Sequence, residues 1–286
     1  MMNKDKRKVM QKGFSLVELM VALTIGFVVI LGVSGIFVNS RQNHSGQDES
    51  SKFQENIRLA SELVSRTLKL AGHRAPSLNS SSSGSASVPL TRESTIVPGI
   101  SGVEGSAVTV GAQDSVTVRY QGNGLVALNG AAGGMITDCT GTSIGTIPVA
   151  GEIYSPISFN TFSVQLVSGR PWLVCATGIR SSASATDPAS TPVPLIPDVE
   201  AIEVMYGVYE LDDPATVSRY VRQSDNPPAE RISAIRVFLL MRTEAEVAPT
   251  VDTQTYTLAE KTYGPFNDRR IRRVVEISAA LRNWNP

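Results

Sequence analysis

The sequence predicts an α+β protein: a long N-terminal helix followed by a domain in which that helix packs on an antiparallel β-sheet. Three observations predict it. Residues 19–38 (LMVALTIGFVVILGVSGIFV) form one uncharged apolar run, and residues 53–71 carry apolar side chains at helical spacing. The last third of the chain alternates apolar and polar residues at the period of a strand.

Composition narrows the class. The 286 residues hold 26 basic and 26 acidic side chains, with 42% hydrophobic and 18% charged. A zero net charge and ordinary apolar content exclude a wholly disordered chain and a histone-like nucleic-acid binder. Much of the apolar content sits in residues 19–38, so the rest is an anchored domain rich in Ser, Thr, Gly and Pro.

The N-terminus sets the topology. Lys4, Lys6, Arg7, Lys8 and Lys12 stand against Asp5 in the first thirteen residues, and a basic flank stays on the cytoplasmic side of a membrane. As a helix, the twenty apolar residues measure roughly 30 Å, the thickness of a bilayer's hydrocarbon core. A cleaved secretory signal is the competing reading. It lacks support, because residues 36–38 (Ile-Phe-Val) carry the apolar run past Val33-Ser34-Gly35 and no Ala-x-Ala follows.

Glu18 is the feature that neither reading of a plain anchor explains. A carboxylate on a membrane helix costs several kcal/mol unless it is paired, so its presence signals function. No basic residue follows it in the helix before Arg41. A cut between Gly13 and Phe14 would create an α-amino group at the membrane surface, able to meet Glu18 within one chain or between neighbours.

The stretch Lys12-Gly13-Phe14-Ser15-Leu16-Val17-Glu18-Leu19, behind a basic leader and ahead of the apolar run, resembles the class III signal of type IV prepilins. The resemblance implies cleavage after Gly13 by prepilin peptidase, N-methylation of Phe14, and Glu18 as the fifth mature residue, complementing a neighbour's N-terminus during assembly. It divides the chain into a leader (1–13), a transmembrane and assembly helix (14–38), an amphipathic continuation (39–72) and an extracytoplasmic β-rich pilin domain (73–286).

Beyond the membrane, Phe53, Ile57, Ala60, Val64, Leu68 and Ala71 recur every three or four residues, widened by Leu63 and Leu70, which makes this face the support for the globular domain. Gly72 ends the helix. Residues 39–51 are polar and poor in helix formers, so a bend near Ser45-Gly46 is expected. Residues 78–85 form a low-complexity connector. Short strands follow at 107–110, 115–120, 163–167 and 172–175, the last two joined as a hairpin. Residues 189–198, with Pro192, Pro194 and Pro197, are expected to be irregular.

The clearest strands come last. Ile202, Val204, Tyr206 and Val208 alternate, as do Ile235, Val237, Leu239 and Met241, and then Ile271, Val275, Ile277, Ala279 and Leu281. They predict an antiparallel sheet with one face on the helix. Residues 62–73, 199–207, 232–242 and 280–283 extend the resemblance to the PilW minor pilins and, less closely, to the minor pseudopilin J of type II secretion. That resemblance implies the type IV pilin fold and a low-abundance subunit that initiates or caps a type IV pilus, supporting twitching motility, adhesion or DNA uptake. Its implied setting is the inner membrane, N-terminus cytoplasmic, and after assembly the pilus at the cell surface. The implied partners are other minor pilins, the major pilin, the inner-membrane assembly platform and membrane lipid. The alternatives are a type II secretion pseudopilin and a signal-anchored periplasmic enzyme or binding protein.

Cys139 and Cys175 are the only cysteines, and an extracytoplasmic setting favours their pairing. No metal site or cofactor is expected: there is no C-x-x-C, no phosphate-cradling loop and no H-E-x-x-H, and the only histidines are His44 and His73. Gly141-Thr142-Ser143-Ile144-Gly145 has the letters of a nucleophile elbow but lacks the preceding strand, the following helix and a base, so no catalytic residue is expected. Arg269, Arg270, Arg272 and Arg273 form a cationic patch that weakly suggests DNA contact. Pairing with acidic neighbours is favoured, because removal of the leader leaves 21 basic and 25 acidic residues.

Overall fold

A computed structural model describes residues 15–73, 99–122, 136–144, 147–149, 152–154, 157–180, 187–213 and 216–283. The chain divides into two compact units, Met1–Asp48 and Glu49–Pro286. Helix α1 (Leu16–Lys69) supplies residues 16–48 to the first and 49–69 to the second. The helix is uninterrupted through Ser45 and Gly46, so its turns are not frayed there. The connector at 78–85 lies outside the described residues.

In the second unit the helix buries the expected stripe. Phe53, Ala60, Val64, Leu68 and Ala71 lie in the core, with Ile57, Leu63 and Leu70 packed against it. The helix closes with two tightened turns, Leu70 N–H to the Thr67 carbonyl and Ala71 N–H to the Leu68 carbonyl. Gly72 then takes a left-handed conformation (φ 71°) that a side chain would strain. Its N–H leaves the helix and donates to the Arg119 carbonyl at 2.9 Å.

Two antiparallel sheets share that core. The first orders β1 (Ile100–Val103), β2 (Ser115–Gln121), β5 (Ile157–Val167), β6 (Arg170–Arg180) and β7 (Val193–Pro197) as β1-β2-β5-β6-β7. The second orders β8 (Val199–Val208), β9 (Arg219–Val221), β10 (Ile232–Arg242) and β13 (Arg272–Ala280) as β13-β10-β8-β9. Two small hairpins remain, β3 (Ile147–Val149) with β4 (Glu152–Tyr154) and β11 (Tyr256–Leu258) with β12 (Lys261–Tyr263). Val116, Val118, Phe162 and Leu173 from the first sheet meet Ile202, Val204, Ile235, Val237 and Ile277 from the second in one cluster with the helix. The architecture is α+β, as the periodicities predict.

Three departures are informative. Residues 107–110 are bends and a turn instead of a strand, held by Ala107 N–H to the Ala112 carbonyl and by Gln113 Nε2 to the Val108 carbonyl. The Pro-rich passage is partly ordered: β7 pairs with β6 through Trp172↔Pro197, Leu173↔Ile196, Val174↔Pro194 and Cys175↔Val193. Proline is tolerated there because β7 is a sheet edge, where a missing N–H breaks no ladder. Ile271 is the third departure, 42% exposed and outside the strand whose parity it shares.

The β5–β6 hairpin turns on Ser168 and Gly169, both at positive φ, the two-residue geometry that matches strand twist. β8 is buried almost throughout, so its second face is not solvated. Ala201 and Leu240 on that face form a second cluster with Leu258 and Tyr263, joined by Phe238, Tyr256, Phe266 and Val274. The hairpin β11–β12 therefore covers what alternation alone assigns to water.

A disulfide joins Cys139 to Cys175, 36 residues apart, and both residues are buried in the core. Closing a loop of that length restricts the unfolded chain by roughly 3–4 kcal/mol. The double substitution Cys139→Ser/Cys175→Ser is expected to lower the unfolding free energy by about that amount. Denaturant midpoints of the detergent-solubilised chain measure it, and an unchanged midpoint contradicts the assignment.

Candidate functional site

The first unit presents the apolar helix without cover. Leu16–Ser34 is long and apolar enough to cross a membrane, and no part of it is buried within the chain. Leu16, Leu23, Phe27 and Val28 are each exposed by more than 60%. Each such side chain gains about 1.5–3 kcal/mol on leaving water, so the thirteen large ones exposed between Leu16 and Val33 require lipid or other helices around them. Thr24 does not interrupt this surface, because its hydroxyl donates back to the Val21 carbonyl at 2.9 Å.

Glu18 lies in the first turn of that helix and is exposed. The first helical hydrogen bond, Leu19 N–H to the Ser15 carbonyl at 3.1 Å, places Glu18 where unpaired backbone N–H groups create positive potential. A carboxylate at this end is favoured by the helix and disfavoured by an apolar surround. Its preference is therefore for a cation brought to the helix start. Gly13 and Phe14, the residues between which the leader would be cut, lie outside the described residues.

The second unit answers the remaining sequence candidates. Gly141, Thr142 and Ser143 belong to a loop tied by Asp138, whose Oδ1 accepts from Thr140 N–H at 2.8 Å and Thr142 N–H at 2.9 Å. Ser143 pairs through its backbone with Thr137. Tyr120 lies beneath this loop, its hydroxyl donating to the Thr137 carbonyl at 2.9 Å. Among the described residues no group of three or more His, Cys, Asp or Glu side chains is arranged to hold a metal ion.

Of the four arginines of the cationic patch, Arg272 is buried, Arg270 half-buried, and Arg269 and Arg273 exposed. Arg272 forks onto two carboxylates, Glu200 at 2.7 and 3.0 Å and Asp268 at 2.6 and 2.7 Å. Asp252 is 3.3 Å from the same guanidinium, and the Phe266 ring lies 3.8 Å from it. Arg270 pairs with Glu246 and Asp268 at 3.3 Å, and Arg269 donates to the Ala248 carbonyl at 2.8 Å. Acidic neighbours thus pair Arg270 and Arg272, the outcome the charge balance favoured for those two, while Arg269 contacts backbone carbonyls and Arg273 is exposed.

Nothing in the sequence pattern identified the carboxylates of this network: Glu200 shares the even parity of Ile202 and Val204, and the register shift of β8 on β10 at Leu240/Met241 interrupts that alternation beside it. The hydrogen bond from Arg272 holds the Asp268 carboxyl well below the ordinary carboxylate range, against the opposing effect of burial. A depressed folded-state value means stability that is present above the unfolded value of about 3.9 and is lost as pH falls below it.

Two family models match parts of the chain. Residues 161–283 match the family described as Type IV Pilus-assembly protein W, PilW, and residues 8–34 match the prokaryotic N-terminal methylation motif. No curated protein is matched. Among solved structures the chain is similar to a type IV-like pilin from Thermus thermophilus, at 15% identity and a TM-score of 0.45, covering 82% of this chain and 98% of that one.

Asp268→Asn is expected to destabilise the domain at neutral pH by roughly 3–5 kcal/mol, since it weakens a buried ion network. It should also flatten the loss of stability below about pH 4. Thermal unfolding from pH 3 to 8 measures both effects, and parallel wild-type and variant curves contradict the network's role.

Proposed function

We propose that the chain is a type IV pilus minor pilin of the PilW family, a reading the two matched models support, and that it joins other minor pilins to initiate or cap the pilus. The carrying observation is an uncovered apolar helix with one carboxylate in its first turn, ahead of the PilW domain. The methylation motif and this helix make it a membrane-anchored, pilus-associated protein.

In this reading the helix lies in the inner membrane with the basic leader in the cytoplasm, until prepilin peptidase cuts after Gly13 and Phe14 is N-methylated. The new amine of one subunit then neutralises Glu18 of its neighbour as the helices leave lipid for the filament. The chemistry explains the order of events. Cutting creates the cation, the cation offsets a carboxylate that hydrocarbon disfavours, and helix packing replaces lipid around the remaining side chains. The assembly platform and the major pilin are the partners this sequence of steps requires.

Replacing Glu18 with Ala is expected to leave cleavage intact and to remove the subunit from sheared pili, since losing one partner of a desolvated pair costs roughly 3–5 kcal/mol. Immunoblots of pilus and membrane fractions read the split, and normal incorporation contradicts the role. Mass spectrometry of the mature chain is expected to find methylated Phe14 at its start. A mature end beyond the apolar run defeats the reading altogether.

A further inference from the structure

Three ionisable side chains from distant parts of the second unit converge behind the β11–β12 hairpin. Lys261 Nζ lies 2.9 Å from Asp114 Oδ1 and 2.9 Å from Glu203 Oε2. Their side chains are 15%, 4% and 1% exposed. Asp114 immediately precedes β2 of the five-stranded sheet, Glu203 lies in the middle of β8, and Lys261 opens β12. Two carboxylates against one ammonium leave an uncompensated negative charge in a desolvated place, an unfavourable state for an ion cluster.

The carboxyl of Asp114 is held for reaction at one atom. Its Oδ2 accepts the Val204 N–H at 2.9 Å, and its Oδ1 accepts the Gly105 N–H at 2.8 Å beside the ammonium. Glu203 accepts a hydrogen bond from the Tyr263 hydroxyl on its other oxygen. Lys261 also donates to the Gly105 carbonyl at 3.2 Å, which fixes the direction of its amine.

We propose that Lys261 and Asp114 condense to an intramolecular isopeptide bond, with Glu203 as the proton relay. The Glu203 carboxylate takes a proton from the Lys261 ammonium and passes it to Asp114 Oδ1. The free Nζ lone pair attacks Asp114 Cγ, and the developing charge on Oδ2 is met by the Val204 N–H, a backbone donor already aimed at it. Glu203 then takes a second proton from Nζ and delivers it to Oδ1, which leaves as water when its bond to Cγ breaks. Ammonium and carboxylate become one amide and one water, with no oxidant or other reactant.

The protonation energetics suit these roles. Burial pushes the Glu203 carboxyl up to about 7, aided by the Asp114 carboxylate and opposed by hydrogen bonds from Lys261 and Tyr263. A group titrating near neutrality both accepts and returns a proton readily. Burial disfavours the Lys261 charge, but hydrogen bonds to Glu203 and Asp114 outweigh it and raise its pKa, so the amine needs a base at contact distance. Held neighbours react as though at a very high local concentration, with effective molarities of roughly 10⁵–10⁸ M. Condensation also removes two buried charges.

The bond would join positions 147 residues apart and fasten the hairpin over β8 to the loop that enters the first sheet. A subunit under load in a filament would then not unravel through that hairpin. The proposal is independent of the pilus reading, since it concerns the chemistry of the folded domain.

The full chain, purified in detergent, decides the matter by mass. Its intact mass is expected to fall short of the processed, disulfide-bonded sequence by one water, and peptide mapping after reduction is expected to give a branched peptide joining Asp114 to Lys261. Unbranched wild-type peptides carrying free Asp114 and Lys261 overturn the bond, and a branch from Lys261 to Glu203 overturns the assignment of roles. Glu203→Gln is expected to keep the Cys139–Cys175 disulfide while losing the branch and regaining the full mass. An equally branched Glu203→Gln chain overturns the relay.

Discussion

Helix α1 obeys two opposite burial rules along one chain, and the protein is organised around that opposition. From Leu16 to Ser34 the surface is apolar apart from Glu18, Thr24 and Ser34, and no described residue buries it. From Phe53 to Ala71 only one stripe is apolar, and that stripe is buried. An all-round apolar helix must be solvated by lipid or by other helices, whereas an amphipathic one is satisfied by a single folded domain. The first segment therefore calls for lipid or other helices around it, while the second is satisfied within the folded domain.

The stripe sets what the globular domain must supply. Two sheets contribute apolar faces to one cluster with Val64 and Leu68, so neither sheet is complete without the helix. At its end, Gly72 transfers the chain to Arg119 in β2, and Asn283 donates to the Lys69 carbonyl at 3.0 Å. Asn283 thereby closes on the last turn of the helix. Unpaired helix carbonyls are satisfied in the process.

Polar side chains take over where the second sheet face would meet water. On β8, Glu200 turns to Arg272 and Glu203 to Lys261, while Ala201 packs with Leu258 and Tyr263. The covering segment thus mixes apolar contact with ion pairs, which gives the hairpin one orientation. A purely apolar cover would pack as well but would select its register less strictly.

The sequence by itself determined the anchor, the amphipathic stripe and the inward parity of the strands at 202–209 and 235–242, because each rests on a local period that side-chain direction makes legible. It also identified Glu18 as out of place. Only the tertiary structure decided which strands neighbour one another, that a Pro-rich segment can be an edge strand, and that β8 is covered on both faces. It alone brought Asp114, Glu203 and Lys261 together, and it drew Arg272 inward to Glu200 and Asp268. Most of those outcomes depend on contacts between residues far apart in the chain, such as Glu200 with Arg272 or Asp114 with Lys261, and no periodicity along the chain encodes a partner at that distance.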